Sequence, residues 1–339
     1  MRTKKAVSVA LTLILAFQIF TQTPLAEASA SLTAPSAVIL DPASNKIIFS
    51  RAPHRKQPPA STAKIVTALV ILDSLSLDHW VTVSPQVEKV EASKLYLNGG
   101  DRLRTCDLLQ ALLMNSANDA ASALAIEVSG SERTFAELMT RKARALGARN
   151  TRFVNASGLP AEGQYSTAYD LALIMREAME NSFIVSILRQ KNTSVQAYNG
   201  KRFYLKSHNK MLWRRQKVIG KTGWTRRAKY CFVGVIEEGR HDAVVAVLGS
   251  RKLWGDLSAL VNKVPGASKN RSTLSYGVKG EEVKRLQLSL KQAGFFVGPA
   301  TGYFGKKTKQ AVLKFQRSRG LSADGIVGIQ TRRALAPNP

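Results

Sequence analysis

The 339-residue chain is long enough for two domains, and its 50 lysines and arginines against 23 acidic residues leave a net charge of +27. Two cysteines and 4 scattered histidines show no metal-ligand spacing, so neither a metal nor another cofactor is expected. The positive charge suggests nucleic acid first, but no nucleic-acid motif accompanies it and the chain opens on an export signal. An anionic wall polymer or a membrane surface is the better partner.

That signal is the first element. Arg2, Lys4 and Lys5 precede an apolar run from Ala6 to Phe20, and Ala26-Glu27-Ala28 and Ala28-Ser29-Ala30 both fit a small-residue cleavage site. The run is shorter than the roughly 20 residues of a transmembrane helix. Residues 1–30 are therefore expected to be a signal peptide, placing the protein in the periplasm or on the wall side of the membrane. Next, Ala37-Val38-Ile39-Leu40 and Ile47-Ile48-Phe49 flank a turn-rich segment and predict a hairpin.

Pro58-Pro59 stop any upstream helix and hand over to Ala60-Ser61, after which Ile65, Val66, Leu69, Val70 and Leu72 recur at helical spacing. Ser61 thus falls in the first turn of a mostly buried helix, with Lys64 on the same face. Taken alone, Ser61 reads equally well as a helix cap. Ser116-Ala117-Asn118 joins two apolar stretches, Leu108 to Met114 and Ala120 to Ile126, that predict buried helices; alone it reads as a capping pair. Lys221-Thr222-Gly223 precedes a strand run from Tyr230 to Ile236, and Gly223 would let another backbone approach. A further strand is expected from Asp242 to Leu248. Cys106 and Cys231 are expected to be buried free thiols.

In order, these three patterns spell S-x-x-K, S-x-N and K-T-G, the set of a serine acyl-transferase whose nucleophile is activated by lysine. Decoys exist at Ser207-His208-Asn209-Lys210 and Ser268-Lys269-Asn270, and the first of these lacks a following helix. The chain resembles the serine D-alanyl-D-alanine carboxypeptidases, the low-molecular-weight penicillin-binding proteins, from about Ala37 to about Asn262. Met114 to Ala121, Phe153 to Pro160 and Tyr165 to Ala172 carry the likeness beyond the three motifs. It implies an α+β fold of the β-lactamase/transpeptidase type, an antiparallel sheet flanked by helices. Strands at both ends with helices between them suggest the same.

The resemblance also implies roles. Ser61 would be the nucleophile, Lys64 its base, and Ser116 the relay of a proton to the leaving group. Asn118 would hold the substrate backbone, and Lys221 and Thr222 its terminal carboxylate. The N–H groups of Ser61 and Trp224 would form the oxyanion hole. The implied substrate is the peptidoglycan stem peptide ending in D-alanyl-D-alanine, with β-lactams as covalent inhibitors. The resemblance also implies a further carboxylate-binding arginine beyond the last sheet strand; Arg251 lies near that place, and Asp256 is the other residue expected there.

After a linker expected over 263–273, a glycine-bracketed pattern recurs at Gly277-Val278-Lys279-Gly280, Gly302-Tyr303-Phe304-Gly305 and Gly325-Ile326-Val327-Gly328, each leading into a short helix. This segment, expected over 274–337, is similar to the peptidoglycan-binding domain of wall hydrolases and implies a small three-helix unit that contacts wall glycan. Thr301-Gly302 departs from the family's usual Asp-Gly. Three other readings remain at this point. Cross-link DD-endopeptidase activity uses the same chemistry. A β-lactamase needs a deacylating glutamate, which Glu162-Gly163-Gln164-Tyr165 does not supply. A non-catalytic wall-binding protein would not need the intact motifs.

Overall fold

The computed structural model describes residues 32–335 apart from 92, 215–217, 238–241, 265–273 and 322. The expected export signal and most of the expected linker lie outside the described residues.

The expected hairpin is present as β1 (Ser36–Leu40) and β2 (Ile47–Arg51), with Asp41 Oδ1 accepting the N–H groups of Ala43 and Ser44 in the turn. A 3₁₀ turn over Ala60–Ala63 leads into α1 (Lys64–Ser74). β3 (Trp80–Thr82) and β4 (Arg102–Arg104) form a two-stranded ribbon. There follow α2 (Thr105–Met114), α3 (Asn118–Ser129), α4 (Glu132–Ala145), α5 (Ala168–Met179) and α6 (Ser182–Arg189). A second ribbon, β5 (Asn192–Gln196) with β6 (Arg202–Lys206), precedes β7 (Val218–Thr225), β8 (Lys229–Ile236), β9 (Ala243–Ser250) and α7 (Leu253–Val261).

The main sheet is antiparallel with order β2-β1-β9-β8-β7, so an early strand and the last strand pair at its centre. Its apolar residues alternate between two cores. Val38, Leu40, Val233, Val235, Val244 and Ala246 face the layer built from α1 to α6. Ala37, Ile39, Phe232, Ile236, Val245 and Val247 face α7. A sheet covered on both faces needs unbroken apolar strands, and β1 is buried at all five positions. Each such side chain contributes about 1.5–3 kcal/mol relative to exposure.

Lys221-Thr222-Gly223 precedes the expected strand, β8, but also lies inside a strand of its own, β7, at the edge of the sheet. Its polar side chains hide the apolar signature that a buried strand would carry. Cys231 is buried and free as expected, whereas Cys106, also free, is only half-buried because it opens α2 near the surface. Asp256 does not enter the substrate cleft. It sits on α7, accepting from Thr33 N, Thr33 Oγ1, Ala34 N and Ser250 Oγ, and so anchors the start of the described chain to the end of β9.

The C-terminal unit comprises α8 (Glu281–Gln292), α9 (Lys306–Ser318) and α10 (Ile329–Leu335) around Leu274, Val283, Leu290, Phe304, Val312 and Phe315. Two buried glutamines fix its repeat. Gln287 accepts from Gly302 N and donates to Tyr303 O and Thr308 Oγ1. Gln316 accepts from Gly325 N and donates to Ile326 O and Thr331 Oγ1. The Thr301 departure is absorbed: Thr301 Oγ1 accepts from Tyr303 N at 3.3 Å, the bond that Asp324 Oδ1 makes with Ile326 N at 2.8 Å.

Candidate active site

The nucleophile turn is backbone-strained. Ala60 has φ 48, in the left-handed region, immediately before Ser61. Ser116 shares this property with φ 59. Neither Ser61 nor the Ser116–Asn118 pair caps a helix: α1 begins after Ala63 and α3 after Ala117, both without a side-chain cap. By contrast α4, α5 and α6 are capped by Ser131, Thr167 and Asn181. The motif serines are therefore not used as punctuation.

Lys64 is 0% exposed and brings the first two motifs together. Its Nζ lies 3.1 Å from Ser61 Oγ, 2.6 Å from Asn118 Oδ1 and 2.7 Å from Ser157 O. Burial pushes this amine well below its ordinary value, and the charge of Lys221 pushes in the same direction; Glu132 and Asp119 oppose them more weakly. A neutral amine has two N–H donors and one lone pair. Asn118 Oδ1 and Ser157 O can only accept, so they take both donors and leave the lone pair for the Ser61 hydroxyl. Asn118 Nδ2 in turn donates to Glu91 O, which fixes the orientation of its amide.

The third motif closes on the same point. Lys221 is 1% exposed, its Nζ donates to Thr222 O, and burial pushes it down to about 7. A Cβ added to Gly223 would lie 2.8 Å from Ser61 N and 3.1 Å from Thr62 N, so only glycine lets the edge strand lie against the nucleophile turn. Trp224 follows with its ring exposed beside Tyr230. These contacts bring Ser61, Lys64 and Asn118 together, with Lys221 close enough to lower Lys64 and Gly223 against Ser61; Ser116, Thr222 and Trp224 adjoin these residues in the chain.

Two features escaped sequence reasoning. One is the Asn155–Gly158 stretch, singled out only as part of a likeness. Ser157 O receives Lys64, Ala156 O receives Thr67 Oγ1, and Gly158 (φ +80) passes so close to Ala60 O that an added Cβ would fall 1.9 Å from it. Asn155 Oδ1 accepts from Gly158 N and Gln164 Oε1 accepts from Val154 N, which stiffens the loop. The other is His208, within the discarded decoy. Its pKa is pushed down by lost solvent and then by Lys221 and Lys64. Neighbouring Asn209 caps the next turn through Met211 N and donates to Val218 O at the start of β7. The decoy is thus a loop anchor, not a second nucleophile. The Ser268 decoy lies outside the described residues.

A family model described as D-alanyl-D-alanine carboxypeptidase matches residues 22–252, and one for a peptidoglycan binding domain matches residues 279–335. The chain is 31% identical over 223 residues to D-alanyl-D-alanine carboxypeptidase DacF of Bacillus subtilis, covering 64% of this chain and 57% of that protein. It is 34% identical over 214 residues to D-alanyl-D-alanine carboxypeptidase DacB2 of Mycobacterium tuberculosis, covering 62% and 73% respectively. The match therefore spans little more than half the length of DacF. Among solved structures, a D-alanyl-D-alanine carboxypeptidase from Mycobacterium tuberculosis H37Rv superposes with a TM-score of 0.66 at 29% identity, over 72% of this chain and 95% of that one.

Proposed function

The chain belongs to the D-alanyl-D-alanine carboxypeptidase family, and from that premise we propose that it is an exported serine carboxypeptidase removing the terminal D-alanine from peptidoglycan stem pentapeptides. One observation carries this reading: a buried lysine whose two donors are consumed by acceptor-only oxygens while its third direction meets Ser61 Oγ at 3.1 Å. Lysine in that state is a general base.

Ser61 Oγ attacks the carbonyl of the penultimate D-alanine and its proton passes to Lys64 Nζ. The N–H groups of Ser61 and Trp224 receive the oxyanion. Asn118 holds the substrate backbone, and Lys221 with Thr222 holds the terminal carboxylate. The tetrahedral intermediate expels D-alanine as its C–N bond breaks, with a proton delivered through Ser116. Water then hydrolyses the ester and regenerates Ser61. β-Lactams enter the same sequence and stop at the ester. The C-terminal unit keeps the enzyme on wall glycan, and the +27 charge supports contact with an anionic wall polymer or membrane surface.

The test is incubation with a pentapeptide ending in D-alanyl-D-alanine, alongside Ser61→Ala. D-Alanine release by the wild type and none by the variant supports the reading; no release by the wild type sinks it. Cross-linked muropeptides in the same assay measure endopeptidase activity from the same site. Sacculus binding that survives in Ser61→Ala separates anchoring from catalysis.

A further inference from the structure

Beside the nucleophile turn lies a shallow notch, open to solvent and with an enclosed volume of only about 10 Å³, walled by Pro58, Gly158, Pro160, Ala161, Thr225 and Arg227. Its place along β7 is what matters. β7 is an edge strand, so its outer backbone groups are available to an extended peptide. Lys221 lies two residues before Gly223, which abuts Ser61, and Thr225 lies two residues after it. At about 3.3 Å per residue, Lys221 and Thr225 are about 13 Å apart along the strand. On the reading proposed above, the terminal carboxylate sits at Lys221 and the scissile carbonyl at Ser61. The residue on the amino side of D-alanyl-D-alanine then reaches Thr225 and the notch.

The charged group waiting there is Arg227. The β7–β8 turn presents it, pinned by the Ala228 N–H bond to Thr225 Oγ1. Arg227 is exposed and makes no ion pair with any described residue. Arg226 adjoins it, Lys56 stands over the Tyr165 ring, and Arg152 lies against Gly163 on the facing loop, where Glu162 is the one acid. Gln164, also in the wall, is held in place by Val154 N and Asn155 N on its Oε1 and by its Nε2 bond to Leu159 O. A lone ammonium, as on lysine, would meet like charge, whereas a side-chain end whose ammonium is offset by a carboxylate would find an unpaired guanidinium.

We infer that the Arg227 notch is a specificity subsite for the residue preceding D-alanyl-D-alanine, selecting a side chain that ends in a free carboxylate. It rests on the carboxypeptidase reading and adds the substrate class. The probes are three pentapeptides that differ only at that residue: diaminopimelate with its side-chain carboxylate free, the same residue amidated, and lysine. The wild type is expected to favour the free carboxylate in kcat/KM by about fivefold, the upper scale of one ion pair at an exposed rim. Arg227→Ala abolishes that preference by lowering only the diaminopimelate value, and Arg227→Glu turns it toward lysine. Benzylpenicillin acylation of Ser61 at wild-type rate shows that each variant is folded. Equal turnover of the three peptides by the wild type, or an unchanged preference in Arg227→Ala, overturns the inference alone. No D-alanine from any peptide overturns the carboxypeptidase reading and this inference with it.

Discussion

The cleft and the C-terminal unit both bury polar side chains, but of opposite kinds. The cleft buries two lysines whose pKa values are forced down by lost solvent, next to residues with positive φ. The C-terminal unit buries two neutral amides, Gln287 and Gln316, whose donors and acceptors are all matched. A matched neutral amide raises stability and does no chemistry. A buried amine kept from its preferred charge gains little stability and is reactive. The difference separates polar burial that holds a fold from polar burial that prepares a reaction.

The sharpest way to break that comparison is to exchange the consequences. Lys64→Met should lower D-alanine release by about 10³-fold or more, the upper range for a positioned base. The melting temperature should fall too, because Asn118 Oδ1 and Ser157 O lose their donor, but by less than the two lost bonds alone would cost, since the amine was itself costly to bury. A large loss of stability with activity merely in proportion would show that Lys64 is a structural tie. Conversely, Gln316→Ala should leave D-alanine release unchanged and cost about 2–3 kcal/mol locally, since Gly325 N and Ile326 O lose their partner. Amide exchange over residues 274–335 of the full chain reads this directly. Loss of catalysis in Gln316→Ala would couple the two units and end the separation.

Why was the cleft's chemistry legible in sequence but not its support? Ser61 and Lys64 are three apart, and their helix announces itself through Ile65, Val66 and Leu69. The three inner strands β1, β9 and β8 announce themselves through continuous apolar runs. Strand β7 does not, because Lys221, Thr222 and Gly223 occupy its middle for reasons of chemistry. Ser157 contributes only its carbonyl oxygen, across 93 residues from Lys64, and any residue type has a carbonyl. Gly158 is more telling: its glycine is required by a backbone 1.9 Å from where a Cβ would be. That need arises from tertiary approach, which no local pattern encodes.

Titration gives a smaller test of the same contrast. A lysine whose pKa is lowered is a cation only below that lowered value. Lys221 therefore grips a carboxylate below its value of about 7 and loses that grip above it, so kcat/KM should fall on the alkaline side. Lys64 has the opposite requirement: it acts as a base only above its own depressed pKa, which sets the acid limb. Arginine does not deprotonate in this range, so Lys221→Arg should remove the alkaline limb, a difference of about tenfold near pH 8. Retention of that limb in Lys221→Arg would assign it to another group.

The smallest expected effect compares the two halves of the C-terminal repeat. Asp324 bonds Ile326 N at 2.8 Å and also accepts from Gln316 Nε2, whereas Thr301 bonds Tyr303 N at 3.3 Å and Gln287 does not reach it. Thr301→Asp should reproduce the second half in the first and gain about 0.5–1 kcal/mol. Asp324→Thr should lose a similar amount. The Asp324 carboxyl is held below its ordinary value by Ile326 N and then Gln316. A carboxylate depressed in this way stabilises above its unfolded pKa, and the benefit is lost as pH falls through its folded one. The gain from Thr301→Asp should therefore be full at neutral pH and fade in acid. A gain that persists undiminished in acid would arise from the removed β-branch rather than from the carboxylate, and the two turns would not be equivalent.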